Sequence, residues 1–440
     1  MRFLLLCALL ASAGGAGVWY LLPASSCPDC EISASSCANP QPLEVARFTL
    51  TKADLALDRE RPALAESPEG MVLIACNSRT QEDTNTILVA VSHDRGLSFS
   101  NPRPVCTIPV HRHMMKMGGQ DRLMESQPLP RLAWGGGKFH LAWCEPGDKD
   151  SPRLVVCTTT DGATFSEPVP LHGNEVRKIH YTALAAGSDG QLLAAWLDNR
   201  GSGQQPFASY RHSSETPVSM RVDAGTNGKG ICPCCDMETM ISNSGDAWVA
   251  YRHSVDECRD IHLARRPKGA DSFQLLGPAS ERRWKFQSCP HDGPSLAQTS
   301  TSIHVAWMDA ADQKRQAFVA SGAPEAMPWA AKRLPTVHEG EQSQPRLAAT
   351  GDALGAVWLE SFLEDGTRRT VVVSSFSNSR AGSWAEARTV SELTGSPTRP
   401  SAVIDPVSGM LVAWFEQGET CRSMVVRRVL PGSSGACCCD

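Results

Sequence analysis

The stretch PRLAWGGGKFHLAW, residues 130–143, contains a pattern that recurs along the chain. A proline or small residue is followed by apolar residues, a glycine-containing turn, and an apolar run that ends in Ala-Trp or a similar pair. Two short apolar runs around such a turn are typical of a β-hairpin. The six other copies are residues 61–76, 182–196, 237–251, 294–307, 345–358 and 399–414.

The spacing of these copies predicts the fold. Their final residues lie 67, 53, 55, 56, 51 and 56 positions apart, which leaves room for about four strands per copy. A third apolar strand follows the hairpin, most clearly at residues 86–92, 153–159 and 369–375. The sequence therefore predicts an all-β, seven-bladed β-propeller with four-stranded blades, with a six-bladed ring as the alternative.

The last copy has a third strand at residues 423–429 but no fourth, because residues 431–435 are a Pro-Gly-Ser-Ser-Gly stretch. The segment EVARFTL, residues 44–50, precedes the first copy and can supply the missing strand. Such closure covers the sheet edge that the third strand of the last copy would otherwise expose. We therefore expect the propeller to span residues 44–430, followed by a flexible Cys-rich tail at 431–440.

The N-terminus predicts export. Met1 and Arg2 precede an apolar run at residues 3–22, so residues 1–26 are interpreted as a signal peptide or an N-terminal membrane anchor. Residues 27–43 form a Cys-containing linker. The expected location is the periplasm, the cell exterior or the cell envelope, with membrane attachment through the N-terminus as one alternative.

Composition restricts the possible binding partners and the compartment of the protein. The net charge of −5 provides no basic surface for nucleic acid, so that partner class is excluded. Seventeen cysteines are better tolerated in an oxidising compartment, where disulfides form.

Two turns carry a recognisable motif. Residues 92–99, Ser-His-Asp-Arg-Gly-Leu-Ser-Phe, match the Asp-box pattern S-x-D-x-G-x-[ST]-[WF], and residues 160–165 nearly match it. The placement of both between third and fourth strands resembles the sialidase-like (BNR, or Asp-box repeat) β-propeller family. We assign the motif a structural role in the turn, through Asp94, Gly96, Phe99, Asp161, Gly162 and Phe165.

The resemblance implies an exo-alpha-sialidase, a glycoside hydrolase that uses an arginine triad, a Tyr–Glu nucleophile pair and an Asp acid/base. The first arginine of that family lies in an R-I-P motif, where this chain has Glu60-Arg61-Pro62. No Glu partner stands at a recognisable spacing from Tyr181, Tyr210 or Tyr251. The catalytic residues therefore remain unassigned, and enzymatic activity stays an open alternative.

Charged residues recur on the face opposite the Asp boxes. An acidic residue follows the terminal aromatic by two positions in five copies, at Glu145, Asp198, Asp309, Glu360 and Glu416. Arginines gather where inner strands begin or just after an acid, at Arg61, Arg131, Arg200, Arg346 and Arg399. One hypothesis is an acidic ring that binds cations or supplies general acid/base groups. The arginines could then bind a carboxylate or sulfate of a glycan or other small anionic ligand. The alternative is structural: an acid stands at the end of each buried strand, and the arginines form ion pairs with these acids that connect the blades.

Three loops of this face contain metal-binding residue types. We name them the CPCC loop (residues 231–236), the connecting loop (253–260) and the CPHDG loop (289–293). Their candidate residues are Cys232, Cys234, Cys235, Cys258, Cys289, His253 and His291. Disulfides are the preferred interpretation in an exported protein, a soft metal such as Cu or Zn is second, and redox-active thiols are third.

A further segment combines imidazole and thioether groups, which are ligands for Cu(I). Its residues are His111, His113, Met114, Met115 and Met117. The sequence thus supports three functional hypotheses: a glycan-binding propeller, a sialidase, and an envelope metal or redox protein.

Overall fold

A computed structural model describes most of the chain, and the described residues form strands and one short 3-10 helix, Pro324–Ala326. No helix in the described part of the chain is long and apolar enough to cross a membrane. The predicted signal or anchor segment and residues 432–440 of the tail lie outside the described residues. The described ranges are 41–50, 60–81, 83–117, 120–147, 152–176, 178–200, 204–212, 216–223, 230–378, 382–419 and 421–431.

The strands are numbered in chain order. The first fifteen are β1 (Leu43–Thr49), β2 (Ala63–Glu66), β3 (Val72–Gln81), β4 (Thr84–Ser92), β5 (Arg103–Pro109), β6 (His111–Met117), β7 (Gln120–Ser126), β8 (Arg131–Gly135), β9 (Lys138–Pro146), β10 (Pro152–Thr159), β11 (Val169–Pro170), β12 (His180–Ala186), β13 (Gln191–Asp198), β14 (Gln205–His212) and β15 (Ser219–Arg221). The others are β16 (Glu238–Ile241), β17 (Ala247–Arg252), β18 (Ile261–Arg266), β19 (Gln274–Pro278), β20 (Ser295–Gln298), β21 (Ile303–Asp309), β22 (Gln316–Gly322), β23 (Lys332–Arg333), β24 (Glu341–Thr350), β25 (Ala353–Glu364), β26 (Thr367–Asn378), β27 (Ser383–Trp384), β28 (Arg388–Thr389), β29 (Pro397–Asp405), β30 (Gly409–Gln417) and β31 (Arg422–Val429).

Seven antiparallel blades form the ring. Blades 1 to 5 are β2–β5, β8–β11, β12–β15, β16–β19 and β20–β23, while blade 6 is β24–β27 with β28 also paired to β26. Blade 7 contains β29–β31 and β1. The first strands of neighbouring blades contact one another all the way round, with β29 meeting β2. The prediction of seven four-stranded blades is confirmed, and the six-bladed alternative is wrong.

The N-terminal strand closes the ring as the sequence predicts. Strand β1 pairs antiparallel with β31, and Phe48 lies opposite Met424. Blade 7 is therefore built from both ends of the propeller, and the outer edge of β31 is covered.

Apolar faces of adjacent blades pack against each other to make the core. Between blades 2 and 3, for example, Leu154 and Val156 share a cluster with Leu192 and Trp196. The aromatic residue that ends the hairpin repeat is fully buried in several blades, as in Trp143, Trp358 and Trp414. Strand alternation explains this burial, because every second side chain faces a neighbouring blade.

The Asp-box residues have the expected structural role. The carboxylate of Asp94 accepts hydrogen bonds from the backbone N–H groups of Leu97 and Ser98, both at 3.0 Å. Gly96 has φ 74°, and a Cβ there would lie 2.1 Å from Leu411 Cδ1. In the second copy, Asp161 accepts from Ala163 and Thr164 at 2.8 Å, Gly162 has φ 67°, and Phe99 and Phe165 pack against the core.

The segment with clustered His and Met residues forms a β-hairpin in the connection between blade 1 and blade 2. Strand β6 pairs with β7 as a separate two-stranded sheet, and Arg112 Nε donates to Glu125 Oε1 at 2.9 Å. Met114 is exposed. The side chains of His113, Met115 and Met117 lie outside the described part of the structure, so copper binding here stays a prediction.

Replacing Asp94 tests the Asp-box turn. We expect Asp94→Ala to lower the free energy of unfolding by about 1–2 kcal/mol, because several turn hydrogen bonds are lost. Burial opposes ionisation, but hydrogen bonds from Ser98 and Ser92 lower the pKa of Asp94 to about 2, from 3.8. The stabilisation is therefore complete above pH 3.8 and is lost as the pH falls through about 2.

Urea unfolding of the variant and the parent protein across this pH range measures both effects. Asp271→Ala, which removes an exposed carboxylate, serves as the control. A difference in stability that persists unchanged at the acidic end would contradict the role of the carboxylate.

Candidate functional site

One buried carboxylate lies among four arginines at the centre of the ring. Asp236 precedes β16 of blade 4 and is 4% exposed. Its oxygens lie 3.8 Å from nitrogens of Arg61, Arg346 and Arg399, and 4.0 Å from Arg131. These arginines stand at the inner strands of blades 1, 2, 6 and 7. We call these five residues the axial cluster.

Local backbone features place the arginines at the axis. The pairing of β24 with β25 shifts register between Ser343 and Arg346, and that of β29 with β30 shifts between Thr398 and Ser401. Arg399 itself has φ 54°, a backbone conformation that residues other than glycine adopt at an energetic cost. The inner strands thus bend where they approach the axis and turn these guanidinium groups inward.

The axial cluster carries an excess of positive charge. Glu238 lies 4.0 Å from Arg61 and 3.8 Å from Arg346, so four guanidinium groups face two carboxylates. The ion-pair distances of 3.8–4.0 Å exceed those of hydrogen bonds. Arg61 Nη1, Arg131 Nη2 and Asp236 Oδ2 are buried without a hydrogen-bond partner. The cluster can therefore accept a further anionic group.

The charged state of the cluster follows from its surroundings. Burial, and then repulsion from Arg61, lower the pKa values of Arg131 and Arg346 to about 10. Burial alone would raise the pKa of Asp236, but attraction to the four arginines holds it below its usual value. Arg131, Arg346 and Asp236 are therefore ionised at neutral pH.

Each acid of the predicted ring is engaged by structural partners, and a role of these acids in ligand binding stays a prediction. The indole N–H groups of the tryptophans two residues earlier donate to Glu145, Asp309, Glu360 and Glu416. The carboxylate of Asp198 accepts from the backbone N–H of Lys178. Asp198, Asp309 and Glu360 are also fully or almost fully buried. The alternative interpretation, in which an acid ends each buried strand, fits these contacts.

Arg200 does not join the axial cluster. Its Nε donates to Asp198 at 2.8 Å, and its guanidinium lies 4.0 Å from the ring centre of Phe207. The other four candidate arginines do come together, as the inner-strand pattern predicts. Their shared partner Asp236 shows that they also link blades across the axis.

The three cysteine-bearing loops meet, as the sequence predicts. Ile231 of the CPCC loop forms a β-bridge with His253 of the connecting loop. Gly293 of the CPHDG loop lies against the CPCC loop, since a Cβ there would be 2.3 Å from the carbonyl oxygen of Asp236. Only glycine allows this approach without displacing the backbone.

Three buried sulfurs lie side by side in the CPCC loop, and we call these residues the cysteine trio. The Sγ atoms of Cys232 and Cys234 are 3.2 Å apart, those of Cys232 and Cys235 are 3.6 Å apart, and those of Cys234 and Cys235 are 4.0 Å apart. Hydrogen bonds from Cys234 and Cys235 lower the pKa of Cys232. Cys234 also lies within 4.8 Å of ligand atoms of Cys289 and His291.

The expected disulfide staple is not present among the described cysteines, all of which are free thiols. The sulfurs of the trio lie well beyond the disulfide bond length of about 2.05 Å. Cys258 is buried in the connecting loop and belongs to neither group of potential metal ligands. His253 stacks on His262 with ring centres 4.0 Å apart and also lies outside both groups.

Asp236 and Glu238 were not among the predicted site residues, although the sequence contains a signal for them. Asp236 stands two residues before the first strand residue of its blade, Glu238, and Arg61 stands two residues before Ala63, the first strand residue of blade 1. An acid at a repeat position that holds arginine in another blade predicts an ion pair across the ring.

Two of the tyrosines do not fit the sialidase nucleophile. The hydroxyl of Tyr210 donates to the carbonyl of Gly245 at 3.1 Å. Tyr251 is buried in the core, and its hydroxyl has no hydrogen-bond partner among the described residues. Glu60, at the expected arginine position, is buried and pairs with Arg422 at 2.8 Å.

No family model matches the sequence, and no curated protein matches it significantly. Solved structures of glycan-acting propeller enzymes are similar in fold. An ulvan lyase of polysaccharide lyase family PL25 has a TM-score of 0.54 at 11% identity, over 89% of this chain and 97% of that chain. The polysaccharide lyase Uly1 has a TM-score of 0.51 at 11% identity, over 89% of this chain and 99% of that chain. The PL25 ulvan lyase bound to -[GlcA(1-4)Rha3S]- has a TM-score of 0.51 at 11% identity, over 89% of this chain and 96% of that chain.

Removing the charge of Asp236 tests the axial cluster. We expect Asp236→Asn to lower the free energy of unfolding by about 3–5 kcal/mol, because it leaves buried arginines without their shared counter-ion. Urea unfolding at neutral pH measures the change, with Asp121→Asn as an exposed control. Equal stabilities of the two variants would show that Asp236 does not hold the blades together.

Proposed function

We propose that the protein binds an anionic glycan through the axial cluster, which holds a carboxylate or sulfate of the ligand. The observation that carries this proposal is a set of four arginines around two acids. Arg61, Arg131 and Arg346 are buried, and Arg61 Nη1 and Arg131 Nη2 lack acceptors. Buried donors of this kind are costly unless an acceptor satisfies them.

Arginine suits this role because its planar guanidinium can donate two parallel hydrogen bonds to one carboxylate or sulfate. The backbone carbonyls of Thr182 and Pro130 hold Arg131 at 2.8 and 3.0 Å. Arg346 is held by the carbonyl of Pro294. These contacts orient the donors before a ligand arrives, so less entropy is lost on binding.

Exposure indicates the side from which a ligand approaches. The side chain of Arg399 is 13% exposed, against 8–9% for the other three arginines, and that of Glu238 is 22% exposed. An arriving anion therefore first meets Arg399, which attracts it, and Glu238, which repels it. Deeper in the axial cluster positive charge is in excess, and this excess favours acidic over neutral ligands.

The ligand class is supported by the structural neighbours. The ulvan lyase complex contains GlcA and Rha3S, an acidic and a sulfated sugar. The predicted export of this chain would bring it to polysaccharides outside the cytoplasm. We therefore propose an acidic polysaccharide or oligosaccharide as the ligand.

Calorimetric titration with an acidic, sulfated oligosaccharide and with a neutral one of equal length tests this proposal. We expect binding of the acidic ligand alone. Arg399→Gln should weaken it roughly tenfold to a hundredfold, through loss of charged hydrogen bonds. Glu238→Gln should strengthen it by about threefold, because a repulsive charge is removed.

Arg200→Gln is the matched control, since Arg200 pairs with Asp198 outside the axial cluster. The affinity of this variant for the acidic oligosaccharide should equal that of the parent protein. Equal binding of neutral and acidic ligands, or an equal loss in Arg200→Gln and Arg399→Gln, would refute the proposal. A fluorogenic sialoside assayed in parallel would reveal sialidase turnover, the alternative implied by the Asp boxes.

A further inference from the structure

The cysteine trio forms a compact arrangement of sulfur atoms separate from the axial cluster. Its three side chains are 2–7% exposed and pack against Cys289. The three sulfur separations lie between 3.2 and 4.0 Å. All three sulfurs can therefore approach one point between them.

These separations are close to those around a thiolate-bound metal, and that of Cys232 and Cys234, at 3.2 Å, is the shortest. A metal–sulfur bond of about 2.3 Å places sulfurs roughly 3.8 Å apart in a tetrahedral site and roughly 4.0 Å apart in a trigonal one. The observed distances need only small side-chain rotations to reach either value. A disulfide would require two sulfurs to approach to about 2.05 Å.

We propose that Cys232, Cys234 and Cys235 bind one Cu(I) ion through their thiolates. Soft thiolate ligands select Cu(I) and zinc, and structural zinc sites have four protein ligands. Within the described residues no ligand atom of a fourth His, Cys, Asp or Glu lies within 4.8 Å of all three sulfurs. A three-sulfur site therefore favours Cu(I), which accepts a low coordination number.

Neighbouring positive charge compensates the site. Three thiolates and one Cu(I) ion carry a net charge of −2, which a buried position tolerates only beside cations. Arg252 and Arg259 interact electrostatically with Cys235 and Cys232, respectively. Arg252 is 1% exposed and fixed by the carbonyls of Asp292 and Met308, at 3.0 and 2.8 Å.

A second ligand group connects the trio with the surface. Cys289 is partly buried and His291 is exposed, and both have ligand atoms within 4.8 Å of the Cys234 sulfur. An ion can therefore pass from imidazole and thiol at the surface to Cys234 and then to the buried trio. The shared Cys234 provides the path that a buried metal site requires.

Anaerobic titration of the reduced full-length protein with Cu(I), against a competing chelator, tests this proposal. Cys232→Ser and Cys235→Ser should each lower the retained copper by one ion per chain. Cys258→Ser, which changes a buried cysteine outside the trio, should retain as much copper as the parent protein. X-ray absorption of the parent should show this ion with sulfur ligands only, at roughly 2.3 Å.

Alkylation of the parent protein keeps the test decisive if a variant fails to fold. Bound copper should protect Cys232, Cys234 and Cys235 from iodoacetamide, whereas Cys106, a cysteine of blade 1, should react equally with and without copper. Unchanged copper retention in folded Cys232→Ser and Cys235→Ser, or no protection of the trio, would overturn the proposal. So would retention of zinc in preference to copper, or a disulfide within the trio of the purified protein.

Discussion

A single buried carboxylate, that of Asp236, sets the geometry at the centre of the propeller. A buried charge is strongly destabilising unless opposite charges surround it, and here the surrounding charges come from four other blades. Neighbouring inner strands already contact one another in pairs around the ring. Asp236 adds an interaction across the axis, so the displacement of any one of these blades would weaken a pair in a region of low dielectric, where charge pairs are strongest.

Arg252 has a comparable role at the loops beside the axis. Its guanidinium donates to carbonyls of the CPHDG loop, the connecting loop and blade 5, through Asp292, Arg259 and Met308. Gly293 allows the CPHDG loop to touch the CPCC loop. Because the cysteine trio and Asp236 belong to the same short CPCC loop, these contacts fix the sulfur cluster and the axial charge together. Two chemically different sites thus depend on one local backbone arrangement.

The blades could be predicted because their signals are local: alternating apolar residues, glycine turns and Asp boxes repeat within each copy. The structural contacts of the acids after the terminal tryptophans have an equally local origin. Residues two apart on a strand share a face, so the indole of Trp307 reaches Asp309 at 2.9 Å. The sequence placed the arginines at the inner strands but could not reveal Asp236 as their common partner. That contact depends on how five blades converge, which no single repeat encodes.

The same arginines that hold the ring together are the ones available to a ligand. Asp236 neutralises them only in part, because its ion pairs are longer than hydrogen bonds and leave Arg61 Nη1 and Arg131 Nη2 without acceptors. An anionic group that satisfies these donors removes an energetic cost of the folded protein. Since such a ligand binds only where the blades converge, it stabilises the folded ring over the unfolded chain. The proposed ligand would therefore couple binding to the stability of the propeller through these four guanidinium groups.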